Sequence, residues 1–545
     1  MKYGFVIDNR KCIGCHACTV ACKSEHDVPI GVNRTWVKQV EKGTFPDSRR
    51  LFSVMRCNHC TDAPCVEICP VEALYIRPDG IVDFDNDRCI GCKSCMQACP
   101  YDVLYIDPNT HTAAKCNYCA HRVDVGLEPA CVNVCPEHAI ISGDMEDPTT
   151  EIAQLLSREA VTVRKPEKGT KPNVFYIDGD LSSLNASATQ KSDDYMWNSQ
   201  TGGVGHYARY AAEKIMDGKS LVEMAAELSG ETITPKPAID VAATQPKKRT
   251  IEAVMENAKR VYDAPKKGIL WGWEVSTYVW TKAIAAGTFL VTFLAVAFGI
   301  APVEAMTEWA AVGISLLFLA ATTVLLVMDL DQPKRFLYVM LRPQWRSWLV
   351  KGGYALAIYG GLLTFWLGAK FLQMDALVTA FWWIGAVFGV ITAIYTAFLF
   401  AQSKGRDFWQ SPVLPMHMLI HSFMAGAAIL LVLAAAMGGN TEWIAYLKMV
   451  LIASTITNLV ILWAEITVPH PTDDAKTVVK MITSGMYKNQ FWGGTLILGN
   501  VIPLVLAFVG GTSIPILAVA GLTALVGIYI TEKIWVEAPQ QIELN

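Results

Sequence analysis

No cysteine follows Cys135 in this chain of 545 residues, so the sixteen thiols that end there are not general core filler. They serve one local purpose. Long apolar runs are just as absent from residues 1 to 270, which read as an ordinary polar chain, whereas from about Val275 to Ile534 such runs follow one another. Two classes of protein therefore share one polypeptide. The amino terminus Met-Lys-Tyr-Gly-Phe-Val-Ile-Asp-Asn-Arg lacks both an apolar stretch and a twin-arginine pair ahead of one, and the chain is expected to carry no export signal of its own. No basic tract with interleaved aromatics is found either, and the net charge is −4, which argues against a nucleic-acid partner.

What is present is a cysteine framework. The thiols fall into four groups: Cys12, Cys15, Cys18, Cys22; Cys57, Cys60, Cys65, Cys69; Cys89, Cys92, Cys95, Cys99; and Cys116, Cys119, Cys131, Cys135. The first and third have the C-x2-C-x2-C-x3-C run that holds iron–sulfur cubanes in bacterial ferredoxins, and a proline follows Cys69, Cys99 and Cys135. Three near-consecutive thiolates wrap one cluster while the fourth, a helical step further on, points to a neighbour. Sixteen thiolates then make four [4Fe-4S] clusters with none left over. If the first group partners the fourth and the second the third, the sets are Cys12, Cys15, Cys18 with Cys135; Cys116, Cys119, Cys131 with Cys22; Cys57, Cys60, Cys65 with Cys99; and Cys89, Cys92, Cys95 with Cys69. Structural zinc would also accept four thiols but has no need of the x3 cysteine and its proline. Disulfides are disfavoured by the tight x2 gaps. Leu74-Tyr75-Ile76 and Ile81-Val82-Asp83-Phe84, bent at Asp79-Gly80, read as a hairpin, and Leu104-Tyr105-Ile106 begins a similar strand.

On these motifs, residues 1 to about 180 resemble the four-cluster electron-transfer subunit of the molybdopterin oxidoreductase complexes, the group that includes dimethyl sulfoxide, polysulfide and tetrathionate reductases. Nitrate reductase relatives have a tryptophan and a three-iron cluster where this chain has Cys92, so the resemblance implies four cubanes. It also implies that the cluster of the first group and the last cysteine lies nearest the catalytic subunit, and that the series ends near the membrane.

Residues 181 to 267 read as a linker. Leu181 to Thr189 and Glu231 to Lys248 have the composition of mobile connections, while Tyr207 to Leu228 and Ile251 to Tyr262 have apolar residues at helical spacing and are expected to form short amphipathic helices. Eight membrane spans follow, at about Val275 to Ile300, Trp309 to Asp329, Ser347 to Leu367, Ala376 to Phe400, Val413 to Met437, Trp443 to Val468, Phe491 to Val509 and Ile514 to Ile534. The connections on the iron–sulfur side carry Lys334, Arg335, Arg342, Arg346, Lys404, Arg406, Lys476, Lys480, Lys488 and Lys533, against little beyond Lys370 on the other side. By the positive-inside rule the iron–sulfur domain is expected to be cytoplasmic, on a multi-pass protein of the inner membrane.

Trp271-Gly272-Trp273 with Tyr278 and Gly287, Asp329-Leu330 with Pro333 and Arg335-Phe336, and Tyr395 with Trp409, Pro412 and Pro415 recur in the order seen in NrfD/PsrC-like membrane anchors. Residues 268 to 535 resemble that family, which implies a haem-free, quinone-reactive bundle, with residues 536 to 545 left as a tail. The absence of haem has an independent reason. His417 and His421 are the only histidines within spans, and their i, i+4 spacing puts them on one face of one helix, unable to sandwich an iron.

The expected fold class is thus an α+β ferredoxin-like iron–sulfur domain followed by an all-α transmembrane bundle of eight helices. Glu274, Tyr278 and Lys282 recur every four residues on the first span, Asp329 and Arg335 emerge from the second at the same depth, and His417 enters on the fifth. These six are the candidate quinone-binding residues, since tyrosine, histidine and lysine donate hydrogen bonds and carboxylates relay protons. Asn458 and Glu465 share a face of the sixth span, while Glu304 and Asp375 are expected near the far surface. No catalytic residue is expected on this chain. Its expected role is electron transfer, as in anaerobic respiration, between the membrane pool of menaquinone or ubiquinone and a separate catalytic subunit of molybdopterin type. Cytochrome subunits are further candidate partners. The rival reading is a proton-translocating module that links a cytochrome or soluble donor to quinone.

Overall fold

Short helices begin or end at the cysteine groups: Ala17–Glu25 carries Cys18 and Cys22, Pro64–Ile68 carries Cys65, Ser94–Ala98 carries Cys95, and Ala130–Asn133 carries Cys131. The computed structural model describes residues 1–43, 46–191, 258–265 and 267–545. The residue before two of these helices, His16 and Lys93, has φ of 60°. Such a left-handed turn reverses the chain between successive cysteines, so the thiols on both sides of it face the same point.

Two four-stranded sheets flank the cysteine core. One has the order Ile140–Asp144, Tyr3–Asp8, Val174–Ile177, Val161–Thr162; the other Gln190–Lys191, Lys259–Tyr262, Thr35–Lys42, Arg49–Arg56. The expected hairpin forms with Leu74 opposite Phe84, turning at Gly80 with φ of 81°, and Tyr105–Ile106 pairs with Ala113–Ala114. Phe5, Ile7, Trp36, Val54, Met55 and Tyr176 join the cysteines in one core, none of these six more than 1% exposed.

The linker differs from its sequence reading where it is described. Ile251 to Tyr262 was expected to be helical, yet its described end, Lys259–Tyr262, is a strand with Lys259 opposite Glu41. The open edge of Thr35–Lys42 offers unpaired backbone groups that outweigh a weak helical periodicity. Leu181 to Thr189, expected as a mobile connection, contains the helix Leu181–Leu184, capped by the Asp180 side chain accepting from Ser182 N, and a turn of 3-10 helix at Ala186–Ala188. Ser183 Oγ meets Ser53 Oγ at 2.8 Å, which ties this stretch to the sheet. The helix expected at Tyr207 to Leu228 lies outside the described residues.

The second half is an all-α bundle with eight membrane-length helices: Trp273–Ala297, Ala305–Met328, Trp348–Phe371, Asp375–Gln402, Leu414–Met437, Thr441–Thr467, Gln490–Val509 and Ile514–Gln541. The first span is the most buried, ringed by the second, fourth, fifth and eighth. Gly287 makes its crossing with the fifth span possible, because a Cβ there would lie 1.7 Å from the Ser422 carbonyl oxygen, and Gly426 faces it from the other side. The seventh span starts as a π-helix over Gln490–Val501 before continuing as α-helix from Ile502, and Gly499 lets it press against Gly527 of the eighth.

Loops on one side of the bundle seat the iron–sulfur domain. Arg335 donates to the carbonyl oxygens of Asn86 at 2.7 Å and Cys89 at 3.0 Å, and Lys93 lies 3.5 Å from both Asp329 and Asp331. Gly91, with φ of 70°, has Asp331 so close that a Cβ would stand 2.7 Å from the Asp331 Cβ. Gln540 accepts from Gln97 at 2.6 Å and from the amides of Leu270 and Trp271 at 3.0 Å, so residues that read as a tail are buried between the two halves.

Candidate electron-transfer and quinone sites

Cys12, Cys15, Cys18 and Cys135 line one small cavity, and Cys69, Cys89, Cys92 and Cys95 another. Cys22 neighbours Cys116, Cys119 and Cys131, and Cys65 neighbours Cys57, Cys60 and Cys99. Burial pushes the thiols of Cys18, Cys92 and Cys119 up to about 12. A bare thiolate is thus disfavoured, and the donor set calls for a cationic group to share the charge. Arg56, buried over the Phe5 ring, donates to Cys131 Sγ at 3.3 Å. Among the described residues no three His, Cys, Asp or Glu side chains approach closely enough to hold a single metal ion.

A cavity of about 440 Å³ opens between the first four spans and the loop of Cys92. Its wall is mostly aliphatic, from Leu316, Leu319, Leu356 and their neighbours, with a few polar groups in Tyr278, Tyr395, Asp329 and Ser94. That is the make-up of a site for a largely apolar ligand with a polar head. Trp271 joins the two halves: its ring lines the cavity and its Nε1 donates to the Cys92 carbonyl oxygen at 3.2 Å. Just beyond the second span, burial pushes the Asp329 carboxyl up to about 7 despite the opposing Lys93 ammonium. Asp329 can therefore hold or release a proton at neutral pH.

A family model described as polysulphide reductase, NrfD, matches residues 263–542, just over half of the chain. The chain belongs to the NrfD family. Two 4Fe-4S dicluster models match residues 11–74 and 49–145. A tetrathionate reductase subunit of Salmonella typhimurium is 48% identical over 183 residues, covering 33% of this chain and 73% of the relative. A polysulfide reductase component of Wolinella succinogenes is 43% identical over 181 residues, 32% of this chain and 94% of the relative, and the arsenate respiratory reductase iron–sulfur subunit ArrB of a Shewanella species is 36% identical over 225 residues, 32% and 96%. This NrfD-family chain is accordingly a ferredoxin-like iron–sulfur domain fused to an eight-helix membrane domain. It is a non-catalytic electron-transfer and membrane subunit of a larger respiratory oxidoreductase complex.

Of the six candidate quinone residues in this NrfD-family bundle, the cavity wall includes Tyr278 and Asp329. Glu274 is half-buried nearby, in electrostatic range of Asp329. Arg335 instead holds the iron–sulfur domain in place. Lys282 lies behind the wall, with Nζ donating to Thr396 Oγ1 at 2.6 Å and standing 4.8 Å from the Tyr395 ring centroid. His417 is further off, 3.1 Å from His421 between ring nitrogens and 2.9 Å from Glu465, although that last contact is not aligned for a hydrogen bond. Asn458 bonds Asn500 at 2.9 Å. Tyr395 enters the sequence reading as a family motif only, and Glu532, 4% exposed and 2.6 Å from His421, is absent from it. A lone carboxylate inside an apolar run is the available signal for Glu532; its neighbour Lys533, counted among the surface charges, obscures it.

Proposed function

We propose that this chain carries electrons between the membrane quinone pool and a separate catalytic subunit of molybdopterin type, through four [4Fe-4S] clusters held by the sixteen cysteines. The observation that carries the reading is the 440 Å³ cavity, whose apolar wall and polar head of Tyr278, Tyr395 and Asp329 abut the loop of Cys92. Each bound cluster supplies one-electron transfer. The protein's own part is to wrap the thiols, exclude water, and hold the quinone head against hydroxyl donors while its tail lies among Leu316, Leu319 and Leu356. Three relatives, named as parts of tetrathionate, polysulfide and arsenate reductases, support a catalytic partner outside this chain. The basic loops support a cytoplasmic iron–sulfur domain.

Quinol-driven reduction of the clusters in the purified chain, followed by electron paramagnetic resonance beside a dithionite control, tests the reading. Tyr278→Phe and Tyr395→Phe each remove a donor to a buried carbonyl and should weaken quinone binding by about 1 to 3 kcal/mol, up to about a hundredfold, with iron content unaltered. Unchanged quinol kinetics in both variants would place the quinone elsewhere.

A further inference from the structure

Five lysine, histidine or glutamate side chains are buried within the spans among the described residues: Lys282, His417, His421, Glu465 and Glu532, none more than 6% exposed. They come from four different helices, and such groups are costly in a membrane interior. Yet they form one series. Lys282 Nζ donates to Thr396 Oγ1 and stands 4.8 Å from the ring centroid of Tyr395, which lines the cavity beside Tyr278. Lys282 and Glu532 act on each other electrostatically without forming an ion pair. Glu532 Oε1 meets His421 Nδ1 at 2.6 Å, His421 Nε2 meets His417 Nε2 at 3.1 Å, and His417 Nδ1 meets Glu465 Oε2 at 2.9 Å. His421 is thus hydrogen-bonded at both ring nitrogens, the arrangement in which a ring takes a proton on one side and gives it up on the other, and His417 stands with Nδ1 beside the Glu465 carboxylate. Beyond Glu465, the half-buried His470 approaches the Glu465 carbonyl oxygen at 2.9 Å.

Depth decides where the series leads. Glu465 lies two residues from the end of its helix at Thr467, Glu532 five from Glu537, His421 seven from Leu414 and Lys282 nine from Trp273, all counted from the iron–sulfur side. At 1.5 Å per residue the deepest is about 14 Å in, within the near half of a ~30 Å hydrocarbon layer. The far half of the core is packed by groups such as Val291, Leu431, Leu447 and Leu517. The series crosses the bundle sideways and never reaches the opposite surface.

We propose that Lys282, Glu532, His421, His417 and Glu465 form a lateral proton relay that links the cavity wall at Tyr278 and Tyr395 to the iron–sulfur-side surface at the end of the sixth span. The proposal rests on the quinone reading above. When a quinol is oxidised, both O–H bonds break; its two electrons would leave singly for a cluster held by Cys69, Cys89, Cys92 and Cys95, and its two protons pass from the cavity wall at Tyr278 and Tyr395 to Lys282 and along the relay. Lys282 gives a proton towards Glu532 as it receives one from the cavity side, so no side chain gains lasting charge. Quinone reduction runs the same route backwards, and protons are exchanged with the compartment that holds the iron–sulfur domain.

The full chain is reconstituted in liposomes, and those with the iron–sulfur domain outward are selected by its protease accessibility. A menaquinol analogue is the donor and external ferricyanide, which takes electrons from the clusters without taking protons, is the acceptor. External and trapped pH dyes should report acid outside. Glu532→Gln and His421→Gln should slow quinol-driven cluster reduction roughly a hundredfold and enlarge its solvent isotope effect, while analogue binding and dithionite reduction stay at wild-type levels; Glu465→Asp should recover most of what Glu465→Gln loses. Acid appearing inside, or wild-type rates and isotope effects in all the Gln variants, would overturn the relay while leaving the quinone reading intact. Failure of the wild-type chain to bind the analogue would overturn both.

Discussion

Lys38 shows how a single residue can be read against its setting. It stands on the strand Thr35–Lys42 with no solvent exposure, and burial lowers its ammonium pKa to about 7 against the favourable charge of Asp263. A folded value below the unfolded 10.5 means that the unfolded chain binds more protons between these limits, so this group makes the domain more stable as pH rises from about 7 to 10.5. Lys38→Met should therefore raise the unfolding temperature, by more at pH 6 than at pH 10; equal gains at both would show that Lys38 is not titrating in the fold. At this scale the sequence is legible where chemistry is dense. Sixteen thiols in four groups announce themselves, and Tyr278 and Asp329 stand out as polar residues at span ends. Lys282 and His417 are noticeable for the same reason, but i, i+4 spacing says only that residues share a helix face, not which neighbouring helix covers it. Thr396 and the cavity wall decide that for Lys282, and Glu465 with His421 for His417.

Among elements, helices declare themselves and irregularities do not. Each span reaches the roughly 20 residues needed to cross hydrocarbon, so apolar runs locate all eight, seven of them within about four residues at each end. The strand Lys259–Tyr262 is hidden because its partner, Thr35–Lys42, lies more than two hundred residues earlier, and four residues carry too little periodicity to reveal it. The π-helix of Gln490–Val501 is equally hidden, since its register depends on Gly499 meeting Gly527. Close helix crossings give a direct test. Gly287→Val puts a side chain into the backbone of the fifth span and should cost about 1 to 3 kcal/mol or more, seen as a lower unfolding temperature in detergent, whereas Gly313→Val, with nothing within 4 Å of its Cβ, should be close to neutral. Similar losses in both would mean that valine itself, not the crossing, is responsible.

For the whole molecule the proposed inventory is four cubanes, and anaerobic purification should give about sixteen iron and sixteen acid-labile sulfide per chain. Zinc in their place would sink the cluster assignment. Topology is open to a second check: a cysteine introduced for Lys480 should react with an impermeant maleimide only in inverted vesicles, and one introduced for Thr441 only in intact cells. The reverse pattern would put the iron–sulfur domain outside. The burial of residues 538–545 has a further consequence, for synthesis. Gln540 bonds Gln97, Leu270 and Trp271, Arg406 donates to the carbonyl oxygens of Pro539 and Ile542, Glu543 pairs with Arg260, and Asn545 Nδ2 donates to Asp102. The iron–sulfur domain emerges from the ribosome first, yet part of its seat is made of residues translated after the eighth span. Contacts of the iron–sulfur domain with the loop after the second span can form earlier, but its seat is complete only once residues 542–545 have been made.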